Sequence, residues 1–386
     1  MVSKLFIFDT HPIQYRSPVF RALAAKVPGL KVFFFSESFD GRKWWFNEVG
    51  KIPSQNWNLE LKEGFANEVL ESRRGLFRFT RKVMGLLWKE RPSAVLIYGW
   101  YLPEHWILWA LCRVRGIPLI FVGETFSHGA SRWRVRLKRV LHPLFFSGVR
   151  QFISIGKKTY DFYRSFNIAR SQITEARYCV DTTFFSLPPD KSIGARVEKR
   201  TELGIPQNAF VLLFVGRLFE RKRPWDLFSL YRRLKQHQNL HLVIVGNGPL
   251  EKDLLELRGP GERIHFAGFR DQAETRAMYH ASDLLVVPSE FETWGLVINE
   301  AFASGLPALV TDTCGAANDL VIPGKTGFVY PVGNMEIAAA LISPYIERPA
   351  LAERLGENAR ERVVREYNVG QFAKAIEQAL QTTTSY

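Results

Sequence analysis

Two cations in the C-terminal half have the type and spacing needed to hold a phosphorylated ligand. Arg217 follows the apolar run VLLFVG, and Lys222 comes five residues later in the segment GRLFERKRPWDL. Cations fixed between a strand and a helix suit a diphosphate, because each charge-assisted hydrogen bond contributes about 1.5–3 kcal/mol and a helix N-terminus attracts anions. Taken alone, a basic loop of this kind is also typical of a solvated surface.

Two glutamates lie in the later segment PSEFETWGLVINEAFASGLPALVTD. Glu292 falls in the loop after the predicted strand DLLVVPS, and Glu300 falls in the helix that follows. Glu300 can accept hydrogen bonds from ribose hydroxyls, as acidic residues do in other nucleotide-binding folds, and Glu292 is placed to meet a transferred sugar. A capping acid with a solvated helical glutamate remains the alternative. Backbone N–H groups at the start of this helix have no partner within it and can bind the same ligand. They belong to Trp294, Gly295, Leu296 and Val297.

This combination of residues, followed by AFASGLPALVTD, resembles the retaining glycosyltransferase family numbered four, the glycosyl transferases group 1, which has the GT-B fold. The similarity covers about residues 179–335. It implies that Arg217 and Lys222 act on the diphosphate, Glu292 on the sugar and Glu300 on the ribose. It further implies nucleotide contacts from VGNGP and RIHFAGF, through Asn247, Gly248 and Phe269.

The N-terminal half resembles the family less closely. The first predicted strand is followed by DTHPIQYRSP in place of a glycine-rich loop, and His11 is predicted to bind at the end of that strand. The family often has a histidine after a middle strand to contact the sugar. This chain reads VGETFSH there, so the resemblance implies a catalytic role for Glu124, with His128 as the alternative.

Short apolar runs alternate with stretches of helical period along most of the chain, which predicts parallel sheets with crossover helices. At 386 residues the chain is long enough for two cores. We expect an α/β fold of two Rossmann-like, doubly wound domains facing across a cleft. The predicted parts are an acceptor-binding domain over 1–185, a linker over 186–208, a donor-binding domain over 209–365, and a C-terminal helix and tail over 366–386 that crosses to the first domain.

The net charge of +14 lies in the N-terminal half. Residues 1–190 carry 29 Lys and Arg against 15 Asp and Glu, whereas residues 191–386 carry 23 of each. Two stretches without acids, 72–89 and 131–158, interleave cations with large apolar side chains, as interfacial helices do. They predict contact with an anionic membrane surface and a glycan or lipid-linked acceptor. Solvated cations over an ordinary core are the alternative.

These features predict a retaining, metal-independent glycosyltransferase, such as a hexosyltransferase, in bacterial cell-surface polysaccharide biosynthesis. Without an Asp-x-Asp motif we expect no metal site, and the nucleoside-diphosphate sugar is a co-substrate rather than a cofactor. Three scattered cysteines and the lack of a spanning apolar run favour a cytoplasmic protein, peripheral at the inner face of the cell membrane. The alternatives are a GT-B nucleotide-sugar epimerase, a phosphorylase, for which no pyridoxal lysine is marked, and a nucleic-acid binder, for which no recognition motif is found.

Overall fold

A computed structural model describes residues 4–38, 60–72, 75–124 and 140–384. The chain forms two compact units, one made of Met1–Tyr178 with Val369–Tyr386 and the other of Cys179–Asn368. Each unit is built on one parallel sheet, which confirms the predicted pair of doubly wound α/β domains.

The first sheet has the strand order β3-β2-β1-β4-β5-β6-β7, and every neighbouring pair is parallel. Its central strands are apolar and buried along their whole length, because helices cover both faces of a parallel sheet. The strands are β1 (Leu5–Asp9), β2 (Lys31–Phe34), β3 (Asn67–Val69), β4 (Ala94–Tyr98), β5 (Leu119–Val122), β6 (Gln151–Ser154) and β7 (Ile173–Glu175).

Amphipathic helices supply the apolar side chains that cover the first sheet. Phe79, Val83 and Leu87 form the buried face of α2 and join a core cluster with the strands. The helices of this part of the chain are α1 (Ser17–Ala24), α2 (Leu76–Glu90), α3 (Pro103–Arg115) and α4 (Lys157–Arg164), and residues 140–146 are helical as well. Pro143 therefore lies inside a helical stretch.

The second sheet has the order β10-β9-β8-β11-β12-β13, again wholly parallel. Its strands are β8 (Phe210–Val215), β9 (Leu240–Val245), β10 (Ile264–Gly268), β11 (Leu284–Val287), β12 (Ala308–Thr311) and β13 (Gly327–Tyr330). The helices that accompany it are α5 (Thr182–Phe185), α6 (Pro189–Glu202), α7 (Trp225–Arg233), α8 (Glu251–Leu257), α9 (Gln272–Ala281), α10 (Leu296–Ala303), α11 (Ala317–Leu320), α12 (Met335–Glu347) and α13 (Pro349–Glu366).

The segment 186–208, predicted as a linker, is mostly the helix α6 and belongs to the second unit. Pro189 begins the helix, where proline is well tolerated, and Arg200 anchors its last turn. The Arg200 guanidinium is buried and donates to Asp283 Oδ2 at 2.8 Å and to the Ala281 carbonyl at 2.8 Å. Proline and charge in this segment thus mark a helix that is anchored through Arg200.

The last helix, α14 (Val369–Thr384), belongs to the first unit. It packs against α1 and β6 through an apolar face that includes Phe372, Ile376 and Leu380. The second unit therefore ends at Asn368, three residues after the predicted boundary, and the first unit ends at Tyr178 rather than at residue 185.

Both sheets reverse their strand order once, and that point is where open α/β sheets bind ligands, beyond the carboxyl ends of the strands. In the first sheet the reversal lies between β1 and β4, and in the second between β8 and β11. The loops that follow β8 and β11 carry Arg217 and Glu292. The fold thus places the predicted donor residues at the reversal point of the second sheet.

Candidate active site

Arg217 lies in the loop after β8 with part of its guanidinium unpaired. Its Nε and Nη1 atoms are buried and have no hydrogen-bond partner among the described residues. The guanidinium lies 5.4 Å from the centre of the Phe219 ring, and burial lowers the pKa of Arg217 below its usual value. Buried donors are nearly always satisfied in folded proteins, so unpaired N–H groups at this position indicate a place for an anionic ligand.

Lys222 and Glu292 contact each other directly. Lys222 ends a short 3-10 turn, and its Nζ forms an ion pair with Glu292 Oε2. The two side chains are 15% and 14% exposed, so the pair is largely withdrawn from water. The Glu292 carbonyl also accepts the Gly315 N–H at 2.9 Å, which ties its loop to the chain after β12. The structure therefore brings together Lys222, which is predicted to bind the diphosphate, and Glu292, which is predicted to bind the sugar.

Asn247 and Gly248 lie against the loop that carries Arg217. The Asn247 carbonyl accepts the Leu218 N–H at 3.0 Å, and a Cβ at position 248 would lie 2.6 Å from the Leu218 carbonyl oxygen. Gly246, with φ of +127°, is closer still, since a Cβ there would lie 2.0 Å from the Gly216 carbonyl oxygen. These glycines let two turns meet, and the glycine turn thereby supports the Arg217 loop.

The start of α10 carries the backbone groups that the sequence predicts to bind a donor. Gly295 caps the helix with φ of +98°, and Leu296 and Val297 open it, where N–H groups have no partner within the helix. Trp294 is only 4% exposed, and its indole N–H donates to Asn299 Oδ1 at 2.8 Å. The indole is thus buried in the core with its one polar atom satisfied, and a donor contact through the Trp294 backbone stays a prediction.

Glu300 projects from α10 into a partly buried position. Its Oε2 accepts a hydrogen bond from the Tyr279 hydroxyl at 2.6 Å. Burial raises the pKa of Glu300 to about 7, and the hydrogen bond from Tyr279 acts in the opposite direction. Tyr279 was not predicted from the sequence. The available signal was a tyrosine near the end of α9, the helix before β11.

Phe269 comes directly after β10, at the carboxyl edge of the second sheet. Its ring is 38% exposed, which is unusual for a large aromatic residue. The position is compatible with its predicted place beside a base. Its contact with a base stays a prediction.

Glu124 lies in the loop after β5 and is the last described residue before position 140. Two side chains that were not predicted from the sequence, Arg16 and Tyr178, hold its carboxylate. Its Oε1 accepts Arg16 Nη2 at 2.6 Å and also accepts the Tyr178 hydroxyl. Arg16 pairs in addition with buried Asp9 at 2.6 Å, and its guanidinium lies 4.1 Å from the centre of the Tyr98 ring. An arginine inside the motif HPIQYRSP, close after the aspartate that ends β1, was the available signal.

The other N-terminal candidate, His11, lies just after β1. Its Nδ1 is 2.9 Å from the Thr10 hydroxyl. His11 and Glu124 belong to the first unit, whereas the donor residues belong to the second. His128, the alternative to Glu124, lies outside the described residues.

The helix α2 covers most of the first predicted interfacial segment. Phe77 is 80% exposed, Met84 42% and Trp88 38%, and the Arg115 guanidinium lies 4.8 Å from the Trp88 ring centre. In the second segment, residues 131–139 lie outside the described ranges, and Val140 and Leu144 are exposed at 67% and 50%. Across the described parts of the chain, no helix is both long enough and apolar enough to cross a membrane.

Comparison with known proteins supports the resemblance seen in the donor half. The model of the family described as "Glycosyl transferases group 1" matches residues 195–362. Glycogen synthase from Mycobacterium tuberculosis is 34% identical over 172 residues, which are 43% of this chain and 41% of that protein. The alignment thus spans well under two thirds of that relative. D-inositol 3-phosphate glycosyltransferase from Corynebacterium glutamicum is 26% identical over 317 residues, covering 78% of this chain and 74% of the relative.

Solved structures share the fold along nearly the whole chain. Anabaena HepE (Alr3699), solved in complex with UDP, superposes with a TM-score of 0.75 at 18% identity, covering 98% of this chain and 100% of that one. The lipopolysaccharide glycosyltransferase WaaG superposes with a TM-score of 0.65 at 17% identity, covering 99% and 100%. The matched segment, residues 195–362, contains both predicted cations and both predicted glutamates and is similar to the glycosyl transferases group 1, while the chain as a whole has the GT-B fold of these solved neighbours.

Proposed function

We propose that this protein transfers a sugar from a nucleoside diphosphate to a hydroxyl group of a glycan or lipid-linked acceptor, in the synthesis of bacterial cell-surface polysaccharide. The observation that carries the proposal is Arg217, whose buried N–H groups lack a described partner at the reversal point of the second sheet. Relatives named for glycosyl transfer, and a structural neighbour solved with UDP, support it.

The proposed chemistry is electrostatic and needs no metal ion or separate cofactor. The bond between the anomeric carbon and the diphosphate oxygen breaks while the acceptor oxygen bonds to that carbon on the same face. Arg217 and Lys222 stabilise the negative charge that develops on the leaving diphosphate, and a phosphate oxygen takes the acceptor proton. Glu292 orients the sugar, and its ion pair holds Lys222 at the site before the donor binds.

Glu124 is the proposed contact of the first unit with a sugar hydroxyl. Its Oε1 is held by Arg16 and Tyr178, and its side chain remains 33% exposed. One carboxylate oxygen is thus fixed by two donors, which leaves Oε2 as the acceptor that a hydroxyl can reach. Sugar hydroxyls are suitable partners because they donate hydrogen bonds to carboxylates.

A panel of UDP, GDP and ADP sugars, screened by thermal unfolding, tests the donor site. A ligand at 100 times its dissociation constant stabilises the folded protein by about 2.7 kcal/mol. We expect at least one nucleoside diphosphate sugar to raise the melting temperature, and the same sugar to release nucleoside diphosphate on incubation. If no member of the panel changes the melting temperature, the proposed function is wrong.

We propose further that α2 rests on the anionic inner face of the cell membrane. Phe77, Met84 and Trp88 are exposed on the same helix as Arg78, Arg81, Lys82 and Lys89. Near an anionic leaflet each cation contributes about 1 kcal/mol, and the exposed rings add apolar contact.

Sedimentation with vesicles tests the membrane surface. The protein is expected to bind vesicles that contain phosphatidylglycerol and to remain free with vesicles of phosphatidylcholine alone. Phe77→Asp removes the most exposed ring and adds a negative charge, so it should weaken binding, whereas Leu351→Asp in α13 should not. Equal binding to both vesicle types contradicts the membrane proposal.

A further inference from the structure

Tyr279 lies on a helix next to α10 and contacts Glu300, the residue proposed to bind ribose. The Tyr279 side chain is 1% exposed, and its hydroxyl donates to Glu300 Oε2 at 2.6 Å. Burial raises the pKa of Tyr279 well above its usual value, so the hydroxyl keeps its proton and stays a donor. The phenol ring is fixed by packing, with the Phe185 ring centre 6.1 Å away.

We propose that Tyr279 is a positioning residue for nucleotide recognition: its hydroxyl fixes the Glu300 carboxylate so that the acid discriminates ribose from 2′-deoxyribose. The proposal rests on the proposed function, in which Glu300 binds ribose. One carboxylate oxygen is occupied by Tyr279, which orients the other for the sugar. The same hydrogen bond stabilises the ionised form of Glu300 against its burial, and only the ionised form accepts hydrogen bonds with both oxygens.

The surroundings of Glu300 contain few groups that could replace Tyr279. Of the elements packed against α10, α13 presents buried apolar residues such as Leu355 and Ala359, and α5 presents Thr182 and Phe185. On α9, Arg276 donates to the Phe184 carbonyl at 3.0 Å, and His280 is engaged by Ser192 and the Phe185 carbonyl. Among the described groups, Tyr279 is the one whose interaction shifts the pKa of Glu300 besides burial itself.

Ribose selectivity is the measurement that isolates this role. Titration calorimetry with UDP, GDP and ADP, and with the 2′-deoxy form of each, gives the ratio of the two affinities at pH values from 6 to 9. Both forms carry the same diphosphate, so its titration cancels in the ratio. In the wild type the ratio is expected to rise as pH increases through about 7, since Glu300 loses its proton there.

The variants are Tyr279→Phe, Glu300→Gln, the double variant, and Tyr330→Phe as the control. Tyr330 is a buried tyrosine of the same unit whose hydroxyl has no described hydrogen-bond partner. Tyr279→Phe should reduce the affinity for the ribose form about tenfold near pH 7, the equivalent of one hydrogen bond to a charged group. It should leave the 2′-deoxy form almost unchanged, and the loss should shrink at pH 9, where Glu300 ionises without help.

The double variant should behave as Glu300→Gln alone, because Tyr279 acts through the carboxylate. Equal weakening of ribose and 2′-deoxy forms, or a loss that persists at every pH, overturns the inference while leaving the proposed function standing. Binding of none of the three nucleoside diphosphates by the wild type overturns the proposed function and, with it, this inference.

Discussion

Two charged residues of the proposed donor site carry an electrostatic cost in the free protein. Arg217 has buried N–H groups without a described partner, and Glu300 has a pKa raised to about 7 by burial. Groups held in this way lower stability and are ready to bind, as expected where function and stability compete. We therefore expect substitutions at these two residues to remove a binding group without lowering the stability of the free protein.

Replacing Arg217 with alanine should weaken binding of a nucleoside diphosphate about 10- to 100-fold, since one or two charge-assisted hydrogen bonds are lost. Stability of the free protein should change little, because few of its own hydrogen bonds involve this guanidinium. Calorimetry and thermal unfolding measure the two quantities. Arg221→Ala is the matched control, because Arg221 is an exposed arginine of the same loop after β8. An equal loss of affinity in that variant would contradict the specific role of Arg217.

Replacing Glu300 with glutamine changes the free energy of unfolding by an amount that depends on pH. We expect this change to be more stabilising at pH 8 than at pH 5, by about 1–3 kcal/mol. The pKa of Glu300 is raised in the folded state, so the folded chain holds a proton that the unfolded chain releases. Wild-type stability therefore falls as pH increases from about 4.5 to about 7, and glutamine removes this loss. Denaturant unfolding at both pH values measures it, and an equal effect at pH 5 and pH 8 would show that Glu300 does not titrate as described.

At the scale of elements, close contact between turns explains why glycines follow two neighbouring strands. Gly216 follows β8 and Gly246 follows β9, and the two turns meet without room for a side chain at position 246. The contact supports the loop that holds Arg217. The sequence VGNGP therefore serves the packing of the donor site as well as any direct contact with a nucleotide.

Gly246→Ala should destabilise the protein by about 2 kcal/mol or more, because alanine is strained at a φ of +127° and its Cβ would meet the Gly216 carbonyl. Nucleoside diphosphate affinity should fall with it as the Arg217 loop is displaced. Gly194→Ala, in the open middle of α6, is the control and should be neutral or stabilising by up to about 1 kcal/mol. If the two variants are equally stable, close contact between the two turns does not explain why position 246 is a glycine.

At the scale of the whole molecule, each unit has a core of its own, and the C-terminal helix belongs to the first. The predicted donor residues Arg217, Lys222, Glu292 and Glu300 all lie in the second unit. The excess positive charge lies in residues 1–190, which make up most of the first. The predicted donor residues thus lie in one unit, and most of the excess positive charge lies in the other.

Ile376→Ala in α14 should destabilise the first unit by about 2–5 kcal/mol, because Ile376 is fully buried. Hydrogen exchange should become faster in β6 and stay unchanged in β8 and β9, with nucleoside diphosphate affinity retained. Ile342→Ala in α12, equally buried in the second unit, should give the reverse pattern. If Ile376→Ala makes hydrogen exchange equally faster in both sheets, the two units do not unfold independently and the assignment of α14 to the first is contradicted.

The sequence by itself determined the two parallel sheets and the similarity of residues 195–362 to the glycosyl transferases group 1. Buried parallel strands appear as continuous apolar runs, and such local patterns can be recognised without knowing what packs where. Only the tertiary structure decided which side chains meet. Lys222 and Glu292 are 70 residues apart, and Arg16 and Glu124 are 108 apart, so no local pattern indicates either pair. The burial of Trp294, the anchoring of α6 by Arg200 and the contact of Tyr279 with Glu300 depend in the same way on packing between distant segments.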